Sequence, residues 1–218
     1  MQFVKPLQIQ SYETLKAMVQ NGQFDPEMIY SETKLSKELG ISRTPVRDAI
    51  QRLAQEGYLD IIPSKGFRLH KMTQEDLTET YQIRCALEGF CAVQMAMNYQ
   101  QRRTQRVIET LEELLEKQRQ IMETTHSATE FTRYDWEFHE NIIHYLGNES
   151  FISLYESVRY RIEDTAVRTL KMEGRMEVTL KEHQEILDHI RIGAVGRSYK
   201  SMLTHLDNTR NVFQAGHI

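Results

Sequence analysis

Apolar residues recur at helical spacing along most of the chain. Ile9, Tyr12, Leu15, Met18 and Val19 make a first amphipathic stripe, and Asn21-Gly22 supplies its stop. After a turn containing Pro26, Ser31 is placed to cap a short helix through Leu35 and Leu39. Gly40 ends that helix, and Ser42 is placed to cap a second one beginning Arg43-Thr44-Pro45. Two helices joined by so short a turn make a helix-turn-helix. On the second, Val46, Ala49, Ile50 and Leu53 fall at i, i+3, i+4 and i+7 and predict a buried stripe, while Thr44, Arg47 and Gln51 face away. The period then changes. Tyr58 to Ile62 and Phe67-Arg68-Leu69 read as short strands flanking the turn Pro63-Ser64-Lys65-Gly66, which is a β-wing.

From Thr73 onward the pattern predicts about six helices. The first, capped by Thr73, runs through Leu77, Tyr81, Arg84, Glu88, Cys91 and Met95, and the second spans roughly Arg103 to Met122 with Val107, Leu111, Leu114 and Leu115 on its apolar face. A third starts near Thr129, with Phe131, Phe138, Ile142, Tyr145 and Leu146 inward. Another follows Asn148. Met176, Leu180, Ile186, Leu187 and Ile190 define a fifth, and beyond the break at Gly193 to Gly196, Met202, Leu206, Thr209 and Phe213 define the last. The expected fold is mainly α: a winged helix-turn-helix in residues 1–72 and an all-α helical bundle in 73–218.

Composition narrows the class. With 40% apolar and 27% charged residues, and only 4 Pro and 10 Gly in 218, the chain has the makings of a helix-rich globular core and not of a disordered, collagen-like or turn-dense all-β protein. No apolar run approaches the ~18 residues of a membrane span, and the start MQFVKPLQIQ lacks a signal-peptide core, so a cytoplasmic location is expected. Cys85 and Cys91 lie on one predicted helix, separated by about 9 Å of rise, and cannot pair with each other there. They read as small reduced core residues. The net charge of −4 is uneven: residues 1–72 hold ten Lys and Arg against eight Asp and Glu, the remainder seventeen against twenty-three, giving +2 and −6. A modestly basic head on an acidic body fits a DNA-binding module attached to a domain with another task.

Candidate chemistry lies in both parts. Arg43 sits in the first turn of the second head helix, where a recognition helix presents its leading side chains to the major groove, and Arg43 and Arg47 have the guanidinium geometry for guanine or phosphate. As an isolated pair they would sooner be read as solvated surface. Lys65 puts charge at the hairpin tip, and Gly66 removes a side chain where backbone could approach phosphate. In the body, Arg84 and Glu88 share an apolar face, either as an ion pair one turn apart or with Arg84 turned to an anionic ligand. Asp135 and His139 fall on the inward face of their helix, and a buried carboxylate there needs a partner. His139 alone would serve. His183 and His205 also face inward, whereas Glu140, His144 and His189 face out, so three of the eight histidines and one Asp point to the bundle interior. An Asp-His₃ set suits a divalent ion such as Zn²⁺ or Ni²⁺.

The run LSKELGISRTPVRDAIQRLAQEGYL with the following PSKGF resembles the winged helix-turn-helix of GntR-type bacterial transcription regulators. The resemblance implies base and phosphate contacts from Arg43, Thr44 and Arg47 and a wing-tip glycine at Gly66. Gln51 and Lys65 complete the candidate DNA-binding set, and Thr33 stands where some members carry a further arginine. The stretches DWEFHENIIHYLGNE, KEHQEIL and MLTHL resemble the FCD effector domain of the FadR branch of that family. This likeness implies metal ligands at Asp135, His139, His183 and His205. It also implies a dimerising bundle that binds a small carboxylate or sugar acid, with Arg84 at an RxxLE arginine position and Arg159 and Arg161 as further effector contacts. The stretch Gly193 to Gly196 departs from the acidic turn often found there.

The function expected on these grounds is a homodimeric regulator, a repressor, that reads inverted-repeat half-sites of double-stranded DNA under control of a small effector. Two rivals stand beside it. A metal-dependent hydrolase would exploit the same Asp-His₃ set, but the superficial likeness of His139 to His144 to HExxH fails, because histidines five apart diverge by about 140° around a helix, and no separate nucleophile is evident. A regulator with a purely structural metal is the other.

Overall fold

The computed structural model describes residues 6–215, in which ten helices and one hairpin follow one another. Residues 1–5, part of the start read above for a leader, and the ends of the two expected domains at 1 and 218 lie outside the described residues. The chain divides into two units, the first holding the residues up to Thr73 together with Ser157–Tyr160, the second Gln74–Glu156 and Arg161 onward. The expected second domain is thus interrupted by four residues that pack with the first.

In the first unit α1 (Leu7–Gln20) buries Ser11, Leu15 and Val19, while Ile9, expected in the same stripe, is exposed. The hydroxyl of Ser31 accepts a bond from the Lys34 amide and starts α2 (Glu32–Leu39), which ends at Gly40 in the left-handed region. Ser42 occupies the N-cap position of α3 (Arg43–Gln55), yet its side chain makes no capping bond. The reason lies in the third helical position, where Pro45 has no N–H to offer. Val46, Ala49, Ile50 and Leu53 are buried as the spacing requires, in one core with Leu15, Phe24, Leu35, Tyr58, Leu59 and Phe67. The end of α3 is tied back to α1: the Tyr12 hydroxyl donates to Glu56 at 2.6 Å, and Arg52 both pairs with Glu56 at 3.0 Å and lies 3.9 Å over the Tyr12 ring.

Strands β1 (Leu59–Ile62) and β2 (Gly66–Leu69) pair antiparallel, with Leu59 opposite Leu69 and Ile62 opposite Gly66. Tyr30 adds a bridge to Phe67, made by amide–carbonyl bonds of 2.7 and 3.0 Å. This bridge explains Gly66. Its φ is +128°, and a Cβ there would lie 2.0 Å from the Tyr30 carbonyl oxygen, so the wing closes on the segment before α2 only if position 66 has no side chain. Tyr160 completes the unit, its ring 5.0 Å from that of Tyr58 and its hydroxyl donating to the His70 carbonyl at 3.2 Å.

The second unit is all helix: α4 (Gln74–Met97), α5 (Arg102–Glu123), α6 (Ala128–His144), α7 (Glu149–Ser157), α8 (Arg159–Leu170), α9 (Arg175–Arg191) and α10 (Val195–Ala215). The expected about six become seven because the helix after Asn148 breaks at Val158. Ser127 caps α6 by accepting from the Glu130 amide, and Asn148 caps α7 by accepting from the amides of Ser150 and Phe151. α4 packs along α10, and α5 packs against α6 and α9. The α4–α10 approach is close because Gly89 has no Cβ: one would sit 2.8 Å from the Tyr199 ring. Cys91 is buried, Cys85 half-buried, and both are free thiols. No described helix is long and apolar enough to cross a membrane.

Replacing Gly66 by Ala forces either the wing or the Tyr30 segment to move. The expected result is a loss of more than about 1 kcal/mol of stability, read as a lower thermal midpoint of the purified protein. An unchanged midpoint would show that position 66 is free of this constraint.

Candidate metal centre and nucleic-acid interface

The two faces of α3 divide the work. Pro45, Val46, Ala49, Ile50 and Leu53 hold the helix in the core, which leaves Arg43, Thr44, Arg47 and Gln51 exposed. Neither Arg43 nor Arg47 makes an ion pair among the described residues, whereas Arg52 on the same helix is committed to Glu56 and Tyr12. Lys65 is exposed in the turn of the wing. Nearby Arg68 is tied to Asp60 at 3.0 Å across the hairpin. An unpaired guanidinium on an exposed helix start retains its donors for phosphate or a base edge.

The candidate metal centre draws on three helices: α6 brings His139, α9 brings His183 and α10 brings His205, and among the described residues these three alone converge; Asp135 of α6 lies beside them, outside that cluster. All four are buried, with exposures of 5% for Asp135 and 0, 0 and 1% for the histidines. One ring nitrogen of each histidine lies within 4.8 Å of those of the other two. The ring centroids are 5.0 Å apart for His139 and His183, 5.0 Å for His139 and His205, and 4.6 Å for His183 and His205. Asp135 Oδ1 approaches His183 Nε2 at 3.5 Å. The Nε2 atoms of all three histidines are buried without a hydrogen-bond partner among the described residues. An unsatisfied buried nitrogen costs about 1–3 kcal/mol, and the three together are a donor set of the kind that suits a metal ion.

Two of the opposite nitrogens are hydrogen-bonded and the third faces a carboxylate. His183 Nδ1 meets Gln118 Oε1 at 3.0 Å, and His205 Nδ1 meets Glu182 Oε2 at 2.8 Å. His139 Nδ1 lies 2.6 Å from Glu88 Oε2, an ion-pair distance that misses ideal hydrogen-bond alignment. Burial, reinforced by the neighbouring imidazoles, pushes the His183 pKa well below 6.5; burial also lowers that of His205, although Glu182 opposes it. Both rings are therefore neutral near pH 7, the form that ligates a metal. Burial alone would raise the carboxyl pKa values of Glu88 and Glu182. Arg84 and His139 outweigh it for Glu88, and His205, Arg175 and Asn208 bring Glu182 down to about 2.

The effector arginines fare differently. Arg84 is buried and paired with Glu88, Nε to Oε1 at 2.5 Å, so the ion pair considered above forms. Arg84 also lines a cavity of about 20 Å³ with Thr80, Tyr81, Thr165, Thr209 and Arg210. Arg161 is engaged by Asp76 at 2.7 Å and Glu79 at 3.2 Å, joining α8 to α4. Arg159 belongs to the segment that packs with the first unit and is not gathered with the histidines. Glu140 is half-buried and His144 exposed, as expected of a face turned from the site, while His189 is half-buried against Ser201.

Sequence reasoning missed the residues behind the histidines. Gln118 had a signal: it is a polar residue following Leu111, Leu114 and Leu115 in the buried stripe of α5, itself 0% exposed. Glu182 and Arg175 lie two turns apart on α9, and nothing in their spacing separates them from a solvated pair.

A winged helix-turn-helix with an exposed recognition face, joined in one chain to a helical unit that carries a buried histidine cluster, defines a DNA-binding transcriptional regulator. Residues 7–69 match the model for bacterial regulatory proteins of the gntR family, and residues 79–208 match the FCD domain. The chain belongs to the GntR family and carries an FCD domain, a domain known to bind metals. It is 29% identical over 203 residues, 93% of this chain and 89% of the relative, to the uncharacterized HTH-type transcriptional regulator YdhC of Bacillus subtilis. It is 32% identical over 161 residues, 72% of this chain and 74% of the relative, to the Nta operon transcriptional regulator of Aminobacter aminovorans. The solved structure of Escherichia coli McbR/YncC shares the fold, with a TM-score of 0.76 at 20% identity over 99% of this chain and all of that one.

Two outcomes are expected. Arg43→Ala and Arg47→Ala each weaken binding to a specific DNA site by about 1–3 kcal/mol, seen as a shifted midpoint in fluorescence anisotropy with unchanged thermal stability. In metal-stripped protein, unfolding lets His183 and His205 take up protons below pH 6.5, so the unfolded state binds more protons and stability falls with pH from there toward their depressed folded values. The Glu88 and Glu182 contribution is present above pH 4.5 and is lost below it. Thermal melts from pH 7 to 5 test this, and His183→Leu flattens the fall; an equal slope in both proteins would overturn the neutral assignment.

Proposed function

We propose that this chain is a homodimeric repressor acting in the cytoplasm, and that a small carboxylate or sugar acid controls it from the helical unit. Each protomer presents Arg43, Thr44, Arg47 and Gln51, with Lys65 and Gly66 of the wing, to one half-site of an inverted repeat in double-stranded DNA. Asp135, His139, His183 and His205 hold a divalent ion, Zn²⁺ first and Ni²⁺ next, and Arg84 attracts the effector carboxylate. The observation that carries this reading is the set of three buried Nε2 atoms without partners. Imidazole and carboxylate donors fit such an ion. When bound, the ion supplies a Lewis-acidic position for a carboxylate oxygen. Control of DNA binding then requires that the effector favour one of two states of the dimer. No nucleophile or base beyond the ligand set supports the hydrolase alternative, so the chain is read as a non-enzyme.

One observation favours a second reading, in which the metal is structural. Four protein donors already complete a tetrahedral Zn²⁺ shell, and Arg84 is held by Glu88.

Thermal-shift screening of small carboxylates and sugar acids, on metal-replete and chelator-stripped protein, separates the two. The proposed function expects a stabilising acid whose effect requires the metal, rising with concentration as RT ln(1 + [L]/Kd), and which releases the protein from its own upstream DNA at ~150 mM salt. Strong destabilisation on stripping with no responding acid supports the structural metal. No preference for upstream over random DNA would overturn the regulatory reading itself.

A further inference from the structure

Glu88 and Glu182 have the same surroundings although they sit on different helices. Glu88 Oε1 accepts from Arg84 Nε at 2.5 Å and from the Tyr155 hydroxyl at 3.1 Å, while Oε2 meets Arg84 Nη2 at 3.4 Å and His139 Nδ1 at 2.6 Å. Glu182 Oε1 accepts from Arg175 Nη1 at 3.1 Å and Asn208 Nδ2 at 2.8 Å, while Oε2 meets Arg175 Nη2 at 3.1 Å and His205 Nδ1 at 2.8 Å. Each carboxylate thus receives one guanidinium twice, one neutral donor and one imidazole. The third imidazole, His183, has an uncharged counterpart in Gln118 Oε1.

We infer that Glu88, Gln118 and Glu182 are positioning residues of the metal centre, each holding the proton of one histidine on Nδ1 so that the Nε2 lone pair is directed inward. The inference rests on the metal reading above and extends it to residues that touch no ion. Three features support it. Nε2 of all three histidines has no hydrogen-bond partner among the described residues, while Nδ1 of His183 and of His205 has one and Nδ1 of His139 stands 2.6 Å from Glu88 Oε2 at ion-pair distance, outside hydrogen-bond alignment. Neither glutamate joins the cluster of inward ligand atoms, which contains only the three histidines. Each acceptor comes from a different helix from the histidine it serves: α4 serves α6, α5 serves α9, and α9 serves α10. Imidazoles lacking such an acceptor would share the proton between both nitrogens, and an Nε2–H cannot ligate. The arginines complete the device, since Arg84 and Arg175 fix the orientation of the carboxylates through two bonds each.

The full-length protein is titrated with Zn²⁺ and Co²⁺ at pH 7.5 against a competing chelator, wild type beside Glu88→Gln, Glu182→Gln and Gln118→Met. A Gln at 88 or 182 must turn its amide NH₂ toward either the arginine or the imidazole, and Met at 118 removes the acceptor without stranding a charge. Each variant is expected to bind metal 10- to 100-fold more weakly, with a smaller metal-induced rise in thermal midpoint and altered visible bands of bound Co²⁺. Gln118→Met keeps the inference testable if a glutamate variant fails to fold. Variants that lose midpoint equally with and without metal, at wild-type affinity, are merely structural and overturn the inference while the metal site stands. A wild type that binds neither ion overturns the inference together with the metal reading beneath it.

Discussion

Three imidazole nitrogens without partners, buried within 4.8 Å of one another, are the constraint around which the helical unit is built. Lone pairs converging in a low-dielectric interior repel one another and gain no hydrogen bonds in return. A fold that evolved for stability alone would fill this position with apolar side chains. Here the surrounding stripes supply the compensation: Phe138, Ile142, Ile186, Leu187, Ile190 and Met202 are each 0% exposed beside the histidines. On the proposed function, an ion held by these nitrogens would return the free energy withheld in this way, because binding to the native state alone stabilises it.

The buried charges obey the same economy. Arg84 with Glu88, and Arg175 with Glu182, are ion pairs whose desolvation cost is met only because every carboxylate oxygen is bonded. They contribute two positive and two negative formal charges, which leaves Asp135 as the anion unmatched by a guanidinium. On the proposed function, a divalent cation beside Asp135 would leave a net positive centre, which is the electrostatic ground on which a carboxylate is proposed over a neutral sugar.

Much of this was legible in the sequence, and the dividing line is physical. Features set by neighbours along the chain were read correctly: the α3 stripe, the stop at Gly40, the wing, and the inward direction of Asp135, His139, His183 and His205. Ionisable residues inside an apolar stripe are conspicuous because burial is costly. Failures came where two local rules met or where the partner lay far off. Ser42 has the identity of a cap, but Pro45 removes the donor. Gly66 was read as making room for phosphate; that reading stands as proposed, and the structure adds an internal reason, out of reach along the chain, in the Tyr30 carbonyl. Gln118 is 65 residues from His183 and Tyr155 is 67 from Glu88, so no window along the chain joins them. Arg159 and Arg161 share a helix, yet the first packs with the winged unit and the second with α4.

The cavity beside Arg84 bears on how an effector enters. At about 20 Å³ it has room for about one water molecule, and its walls come from α4, α8 and α10. On the proposed function, an acid of several carbons would exceed that space, and its carboxylate would gain Arg84 only by competing with Glu88. Entry of such a ligand would therefore disturb the Arg84–Glu88 pair that ties this wall of α4 together. A ligand that binds only the rearranged state shifts the population toward that state by its differential affinity. The Arg84–Glu88 pair that favours a structural metal at first sight is thus also what a switch requires: an arginine already free would bind the same acid and change nothing.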